Sequence, residues 1–277
     1  MSARLTREDN YRLKEIAKNI RANIIRMLHL AGSGHPAGSL SMTDILTYLY
    51  FHQLQHNPEN PYWPERDYLL MSNGHHCPAL YATLAEAGYF PMEELATLRK
   101  IGSRLQGHPQ RGSLPGVEIS AGSLSQGISQ AVGLALGLAM EKKPNHVFCT
   151  MSDGEYQEGQ TWEALLLTTK YKLGNLTILL DANDIQISGK IENTLSINPL
   201  FAKLKSFGWN VLETNGHDFY QLQKAIEKDL ANDYPSIIIC HTIAGKGVSF
   251  MERNADWHGK TPNEKETEQA LAEILGT

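Results

Sequence analysis

Two short stretches constrain this chain more than anything else in it. Residues 147–151 (VFCTM) and 176–180 (LTILL) are apolar except for one threonine each. Each runs straight into polar residues: Ser152-Asp153-Gly154 after the first, Asp181 after the second. A strand without polar alternation is buried on both faces, and a sheet buried on both faces is a parallel sheet covered by helices. Strands are also expected at Tyr68–Met71, 209–212 and 237–240. Thr6 is expected to cap a first helix carrying Leu13, Ile16, Ala17, Ile20 and Ile24 on one stripe. It must end before Gly32-Ser33-Gly34-His35-Pro36. Further helices are expected at 41–51, 78–87, 91–101, about 126–142, 160–171, Phe219–Leu230 and Glu264–Leu275. The small residues of 126–142 point to a buried helix. The class is therefore α/β, a parallel sheet flanked by helices.

Such a sheet places its ligand at the carboxyl ends of its strands. Asp153, Asp181, Asn183 and His241 all fall at such ends. Composition narrows the partners. Of the 277 residues, 42% are hydrophobic, which excludes a disordered chain. Lys and Arg total 25 against 30 Asp and Glu, a net charge of −5 that argues against nucleic acid. No apolar window is long enough to cross a membrane. The charged N-terminus MSARLTREDNYRLKEIAKNIR is no signal peptide. Cys77, Cys149 and Cys240 lie far apart, so a disulfide framework is not expected and the reducing cytoplasm is the default.

Asp153-Gly154 leaves one apolar strand, and Asn183 leaves another 183 − 153 = 30 residues on. Oxygen ligands on neighbouring strand ends suit a hard divalent cation such as Mg²⁺, which completes its shell with phosphate oxygens and water. Gly154 lets the backbone approach phosphates closely. A helix starting near Gly159 would aim its N-terminus at the anion. Taken singly, the same residues read as an Asp-Gly turn and a loop asparagine. Ca²⁺ or Mn²⁺ could occupy the same oxygens.

The pattern Ser152-Asp153-Gly154 … Asn183 resembles the thiamine-diphosphate motif, and SDGEYQEGQTWEA … DANDIQISG resembles its form in transketolases. SGHPAGSLS (33–41), SNGHHCPALYA (72–82), GHPQ (107–110) and AGSLSQGIS (121–129) resemble that family in order. The tail HTIAGKGVSFME … DWHG (241–259) is most similar to the two-chain transketolases. The resemblance covers nearly the whole chain and implies one thiamine-diphosphate-binding domain, 1–277. Two positions depart from the common pattern. Ser152 stands where the family usually has Gly, and Ser123 where single-chain relatives often have Pro.

The resemblance implies that Asp153 and Asn183 hold Mg²⁺ by side-chain oxygens and Ile185 by its carbonyl. It places Gly154, Glu155, His75 and His258 at the thiamine diphosphate, with Gly122, Ser123 and Leu124 along its approach. His35 and His258 would bind donor hydroxyls near C1 and the carbonyl, and His108 the C1 hydroxyl. Imidazoles suit that work, because their pKa of about 6.5 lets them give or take protons near neutrality. Glu158 and Glu163 would sit at a subunit interface in an acidic network between two cofactors; Trp162 and Ala164 beside them suggest partial burial. His76 is left structural or merely polar. His29, His52, His56 and His146 are read as solvated, His217 as turn chemistry; for His241, at a strand end, a role behind the site is open but not the favoured reading.

The carboxylate that activates the cofactor belongs, in this family, to a pyrimidine-binding domain. The chain stops at Thr277 with no segment left to form one. A separate partner chain carrying the pyrimidine-binding and C-terminal domains is therefore expected, in an α2β2 assembly. The implied reaction is transfer of a two-carbon ketol unit from a ketose, a sugar phosphate in the first instance, to an aldose. Another thiamine enzyme (2-oxo acid dehydrogenase-like or deoxyxylulose-phosphate synthase-like), a transketolase for an unusual sugar, and a non-catalytic relative remain open at this point.

Overall fold

The first helix begins where the sequence provides a cap. Thr6 is extended, its hydroxyl accepts from the Asp9 N–H (3.0 Å), and the Asp9 carboxylate accepts in return from the Thr6 N–H (3.0 Å). This reciprocal box opens α1 (Arg7–Ala31). Its stripe of Leu13, Ala17, Ile20 and Ile24 is buried, and Gly32, at φ +64°, ends it in the left-handed conformation that glycine adopts freely. The coordinates are a computed structural model describing residues 3–277; residues 1 and 2 of the expected 1–277 unit lie outside the described residues.

After α2 (Pro36–Tyr48) the chain forms β1 (Tyr68–Met71), α3 (Cys77–Glu86), α4 (Gln126–Met140), β2 (Val147–Ser152), α5 (Gly159–Tyr171) and β3 (Leu176–Ala182). A small hairpin, β4 (Ile185–Gln186) and β5 (Gly189–Lys190), leads through α6 (Ile191–Leu195) and α7 (Leu200–Ser206) to β6 (Asn210–Asn215). Then come α8 (Phe219–Leu230), β7 (Ser236–His241) and α9 (Glu264–Leu275). The main sheet is parallel, in the order β1-β2-β3-β7-β6.

Alternate residues of the central strands serve two cores. Phe148, Leu179, Ile238 and Cys240 join the core beneath α1, α2, α3, α8 and α9. Val147, Cys149, Met151, Ile178, Leu180, Ile237 and Ile239 join the core beneath α4, α5 and α7. This two-sided burial is why these strands carry unbroken apolar runs.

Four expectations are corrected. The second helix starts at Pro36 rather than 41, because proline in the first turn has no N–H to leave unpaired. Residues 91–101 form only a 3₁₀ turn, Met92–Thr97. Its anchors Leu95 and Leu98 are buried three apart, the spacing that 3₁₀ geometry aligns, while Ile101 is fully exposed. α4 is not buried all round: Ile128, Ala131, Val132, Ala135 and Leu138 face the core, and Gln130, Gly133, Gly137 and Met140 face outward. The hairpin and helices α6 and α7 were not expected from the sequence. Among the described residues, no helix is long and apolar enough to cross a membrane.

Candidate active site

The carboxyl ends of β2 and β3 open onto a cleft of about 330 Å³. Asp153, Gly154, Asn183 and Ile185 line it from the sheet, His35 from the turn before α2, His75 and His76 from the turn before α3. Gly122 and Leu124 line it from the loop before α4, and His258 from the segment before α9. Ser152, Gln157, Gln186 and Ile187 complete the walls. None of these last four, nor His76, was assigned to the site from sequence; Gln186 and Ile187 follow Asn183 closely, the one local signal available.

Asp153 is 4% exposed. One carboxylate oxygen accepts from the Gly154 N–H (2.8 Å) and the other from the Asp184 N–H (2.6 Å). Burial, then the nearby Asp181 carboxylate, push its pKa up to about 8. No Lys or Arg pairs with it among the described residues. The Asn183 amide donates to Asp181 (2.9 Å) and to the Ser41 hydroxyl (3.2 Å), while its oxygen accepts from the Ile185 N–H (3.0 Å). These are hard oxygen donors on and beside buried carboxyl groups that no described Lys or Arg pairs, and a divalent cation such as Mg²⁺ would favour their charged form. Among the described residues no group of three or more His, Cys, Asp or Glu has metal-holding geometry. A cation here would therefore rest on the Asp153 carboxylate, the Asn183 amide oxygen and the Ile185 carbonyl, with phosphate and water completing its shell.

The loops that shape the cleft are tied beneath it by Glu155. Glu155 is fully buried and lies behind the lining. Its carboxylate accepts from the Ser72 hydroxyl (2.5 Å), the Ser125 N–H (2.9 Å), the Ser152 N–H (2.8 Å) and the Ser152 hydroxyl (3.2 Å). Ser152 caps the 3₁₀ turn Asp153–Gln157, so the departure from Gly adds a helix cap and leaves Asp153-Gly154 in place. Ser125 holds φ +64°, strained for a residue with a Cβ, and is fixed by Glu155 and the Thr161 hydroxyl (2.7 Å). That turn presents Gly122 and Leu124 to the cleft. The N-terminus that meets the cleft is that of the Asp153–Gln157 turn; Gly159 at the start of α5 is not on the lining.

The histidines form a cluster. His35 and His75 ring centroids lie 5.2 Å apart, His35 and His258 5.5 Å, and His75 and His258 5.6 Å. Burial, reinforced by neighbouring imidazoles, lowers His35 to about 4 and His75 to about 3. Burial also lowers His76 and His258. All are neutral at pH 7, each with one nitrogen that accepts and one that donates. His35 Nδ1 is buried without a partner among the described residues. His76 meets His75 edge-on with ring centroids 4.2 Å apart, and its Nδ1 accepts from the Asn73 amide (2.8 Å).

Residues 13–277 match the family model described as "Transketolase, thiamine diphosphate binding domain". The chain belongs to the transketolase family. It is 41% identical to the 6-deoxy-6-sulfo-D-fructose transketolase subunit of Clostridium sp. (strain MSTE9) over 91% of this chain and 94% of that one. It is 38% identical to one of the subunits of the apulose-4-phosphate transketolase of Actinobacillus succinogenes over 95% of each. Among solved structures, transketolase from Campylobacter jejuni superposes with a TM-score of 0.90 at 32% identity. That match covers 95% of this chain and 42% of that one, so the chain spans under half the length of such transketolases.

Other residues named from the transketolase resemblance stand outside the lining. His108 is exposed beside the cleft, its ring against Gly122, where an added Cβ would lie 3.6 Å from it. Burial of part of the ring, then Arg99, lower its pKa. Ser123, Glu158 and Glu163 are exposed on this chain. The solvated readings are corrected. His29 bonds the Pro262 carbonyl (3.1 Å), and His56 lies between the Tyr50 carbonyl and the Tyr89 hydroxyl. His52 packs on Tyr48, and His146 meets the Thr177 hydroxyl (2.7 Å) and is lowered by burial to about 4. His217 is more than turn chemistry: it donates to Asp44 (2.6 Å) and accepts from the Ile243 N–H (2.9 Å). His241 is exposed, paired with Glu213 (3.2 Å).

Proposed function

We propose that this chain is the diphosphate-binding subunit of a two-chain transketolase that moves a two-carbon ketol unit from a ketose to an aldose, using thiamine diphosphate and a divalent cation, Mg²⁺ first. The observation that carries this reading is the neutral cluster of His35, His75 and His258 standing over the Asp153–Asn183 corner in one cleft. A two-carbon ketol fragment presents a carbonyl and hydroxyls, and neutral imidazoles can accept a hydroxyl proton and return it.

When bound, thiamine diphosphate supplies the nucleophilic carbon and electron sink that C2–C3 cleavage needs. The residues of this chain then have separate tasks. Asp153, Asn183 and the Ile185 carbonyl hold the cation, and Gly154 gives the diphosphate close access to the backbone. Gly122, Ser123 and Leu124 border its approach, with Glu155 fixing that loop from below. His35 and His258 orient the donor's carbonyl end and hold its hydroxyl protons; His108 meets the substrate at the rim, and His75 stands between diphosphate and sugar.

The whole of 1–277 acts as one diphosphate-binding domain, and a second polypeptide completes the enclosure in an α2β2 assembly. Exposed Leu166 and Leu167, one turn after Glu163 on α5, support a subunit contact there, with Glu158 at the start of α5. The two relatives named for sulfofructose and apulose 4-phosphate support a ketose bearing an anionic group as donor or acceptor. Three buried free cysteines suit the reducing cytoplasm.

Substituting Asp153→Ala tests the corner. Mg²⁺-dependent binding of thiamine diphosphate to the two-chain complex, followed by calorimetry, is expected to disappear. Unchanged affinity would sink the assignment.

A further inference from the structure

We infer that Asp181, which is absent from the lining of the cleft, is the positioning residue of the cation corner. Its carboxylate decides which way the Asn183 amide faces, and so whether the amide oxygen is offered to a divalent cation. The inference rests on the reading of that corner as a cation site.

Asp181 is the penultimate residue of β3 and Asn183 the first residue after it, and their side chains meet. The Asn183 Nδ2 donates to the Asp181 Oδ2 (2.9 Å), and the Asn183 Oδ1 accepts from the Ile185 N–H (3.0 Å). That oxygen keeps a second lone pair. Rotated by half a turn, the amide would set its oxygen against a carboxylate and its NH₂ against an N–H, and both contacts would repel. Asp181 is itself immobilised. The Ser41 hydroxyl of α2 donates to its Oδ2 (2.6 Å), and the Thr242 hydroxyl, just beyond β7, donates to its Oδ1. Helix, strand and following loop thus converge on one carboxylate that fixes one amide.

A second observation points the same way. Asp181 is wholly buried and pairs with no Lys or Arg among the described residues. His76 stands 3.8 Å off, but the nitrogen nearest Asp181 already accepts from the Asn73 amide, whose orientation the Thr150 hydroxyl fixes (2.8 Å). A buried carboxylate without a cationic partner is costly. A divalent cation on Asp153 and Asn183 would offset that cost, with Asp181 supplying negative charge from behind.

The test uses Mn²⁺ as probe, its free concentration read by electron paramagnetic resonance in the two-chain complex with thiamine diphosphate. Wild type is expected to bind Mn²⁺ in competition with Mg²⁺, and Asp153→Ala to lose it. Asp181→Ala is expected to weaken binding by about 10–100-fold, the usual effect of removing the group that orients a ligand. Asp181→Asn is expected to lose less, because its amide oxygen still accepts from Asn183. The exchange Asp181→Asn with Asn183→Asp restores one amide facing one carboxylate and is expected to bind Mn²⁺ more tightly than Asn183→Asp alone. A purely structural Asp181 would give no such rescue, and the exchange decides the matter if Asp181→Ala does not fold. Wild-type affinity in Asp181→Ala, or single-variant losses that simply multiply in the exchange, would overturn the inference. Failure of wild type to bind, or normal binding by Asp153→Ala, would instead overturn the reading of the corner, and the inference with it.

Discussion

His35 and His75 are held neutral by burial and by the neighbouring imidazoles, and this state was not legible in the sequence. The motifs around 33–41 and 72–82 marked the residues; their mutual approach depends on loops distant in sequence. His76 escaped notice because only the fold turns it toward His75 and into the cleft. A histidine lowered on folding takes up no proton until below its folded pKa, whereas the unfolded chain is protonated near 6.5. Its contribution is therefore fully present above about 6.5 and is lost as pH falls toward 4 for His35 and toward 3 for His75. Between pH 7 and pH 5, urea unfolding is expected to show wild type losing more stability than His35→Gln, by an amount on the order of 1–2 kcal/mol. Equal sensitivity to pH in the variant would assign the loss to other groups, His146 foremost.

Elements were legible where burial is local and continuous. The central strands lie within two residues of expectation because their apolar runs stop at polar residues that the sheet places at its edge. The 3₁₀ turn Met92–Thr97 and the hairpin after Asn183 were not legible, because neither has a periodic face of its own. Close approach was hidden too. At Gly38 in α2 an added Cβ would stand 1.9 Å from His76 Nε2, so the glycine lets the helix carrying His35 at its start seat against the His76 ring. Gly38→Ala is expected to cost about 1–3 kcal/mol by overpacking and to lower the melting temperature by several degrees. An unchanged melting temperature would mean the ring moves freely. α1, α2 and the β6–α8 turn meet at a buried triad. Arg21 grips Asp44 with two nitrogens (2.6 and 3.1 Å), and His217 donates to it (2.6 Å). Removing Asp44 strands the buried Arg21 charge, so Asp44→Ala is expected to lose about 3–5 kcal/mol in denaturant titration. A loss below about 1 kcal/mol would show the triad to be well solvated.

For the whole molecule, the sequence carried the α/β plan and the transketolase family, because both reside in motifs whose order is itself informative. It did not carry the surface. The open outer side of α4, with Gly133, Gly137 and Met140 facing outward, became visible only once the helix was placed on the sheet. Single glycines cost an exposed helix about 1 kcal/mol each, and among the described residues no side chain lies within 4 Å of where their Cβ atoms would be. A cleft open to the outside, together with that uncovered face, is consistent with an active site closed by a second polypeptide. The direct measurement is to coexpress this chain with a chain from the same genome that matches the pyrimidine-binding and C-terminal domains of transketolases, isolate the complex, and assay ketol transfer with thiamine diphosphate and Mg²⁺. Transfer by the complex, and none by either chain alone, is the expected result; full activity from this chain by itself, or none from a well-formed complex offered phosphorylated and sulfonated ketoses, would contradict it.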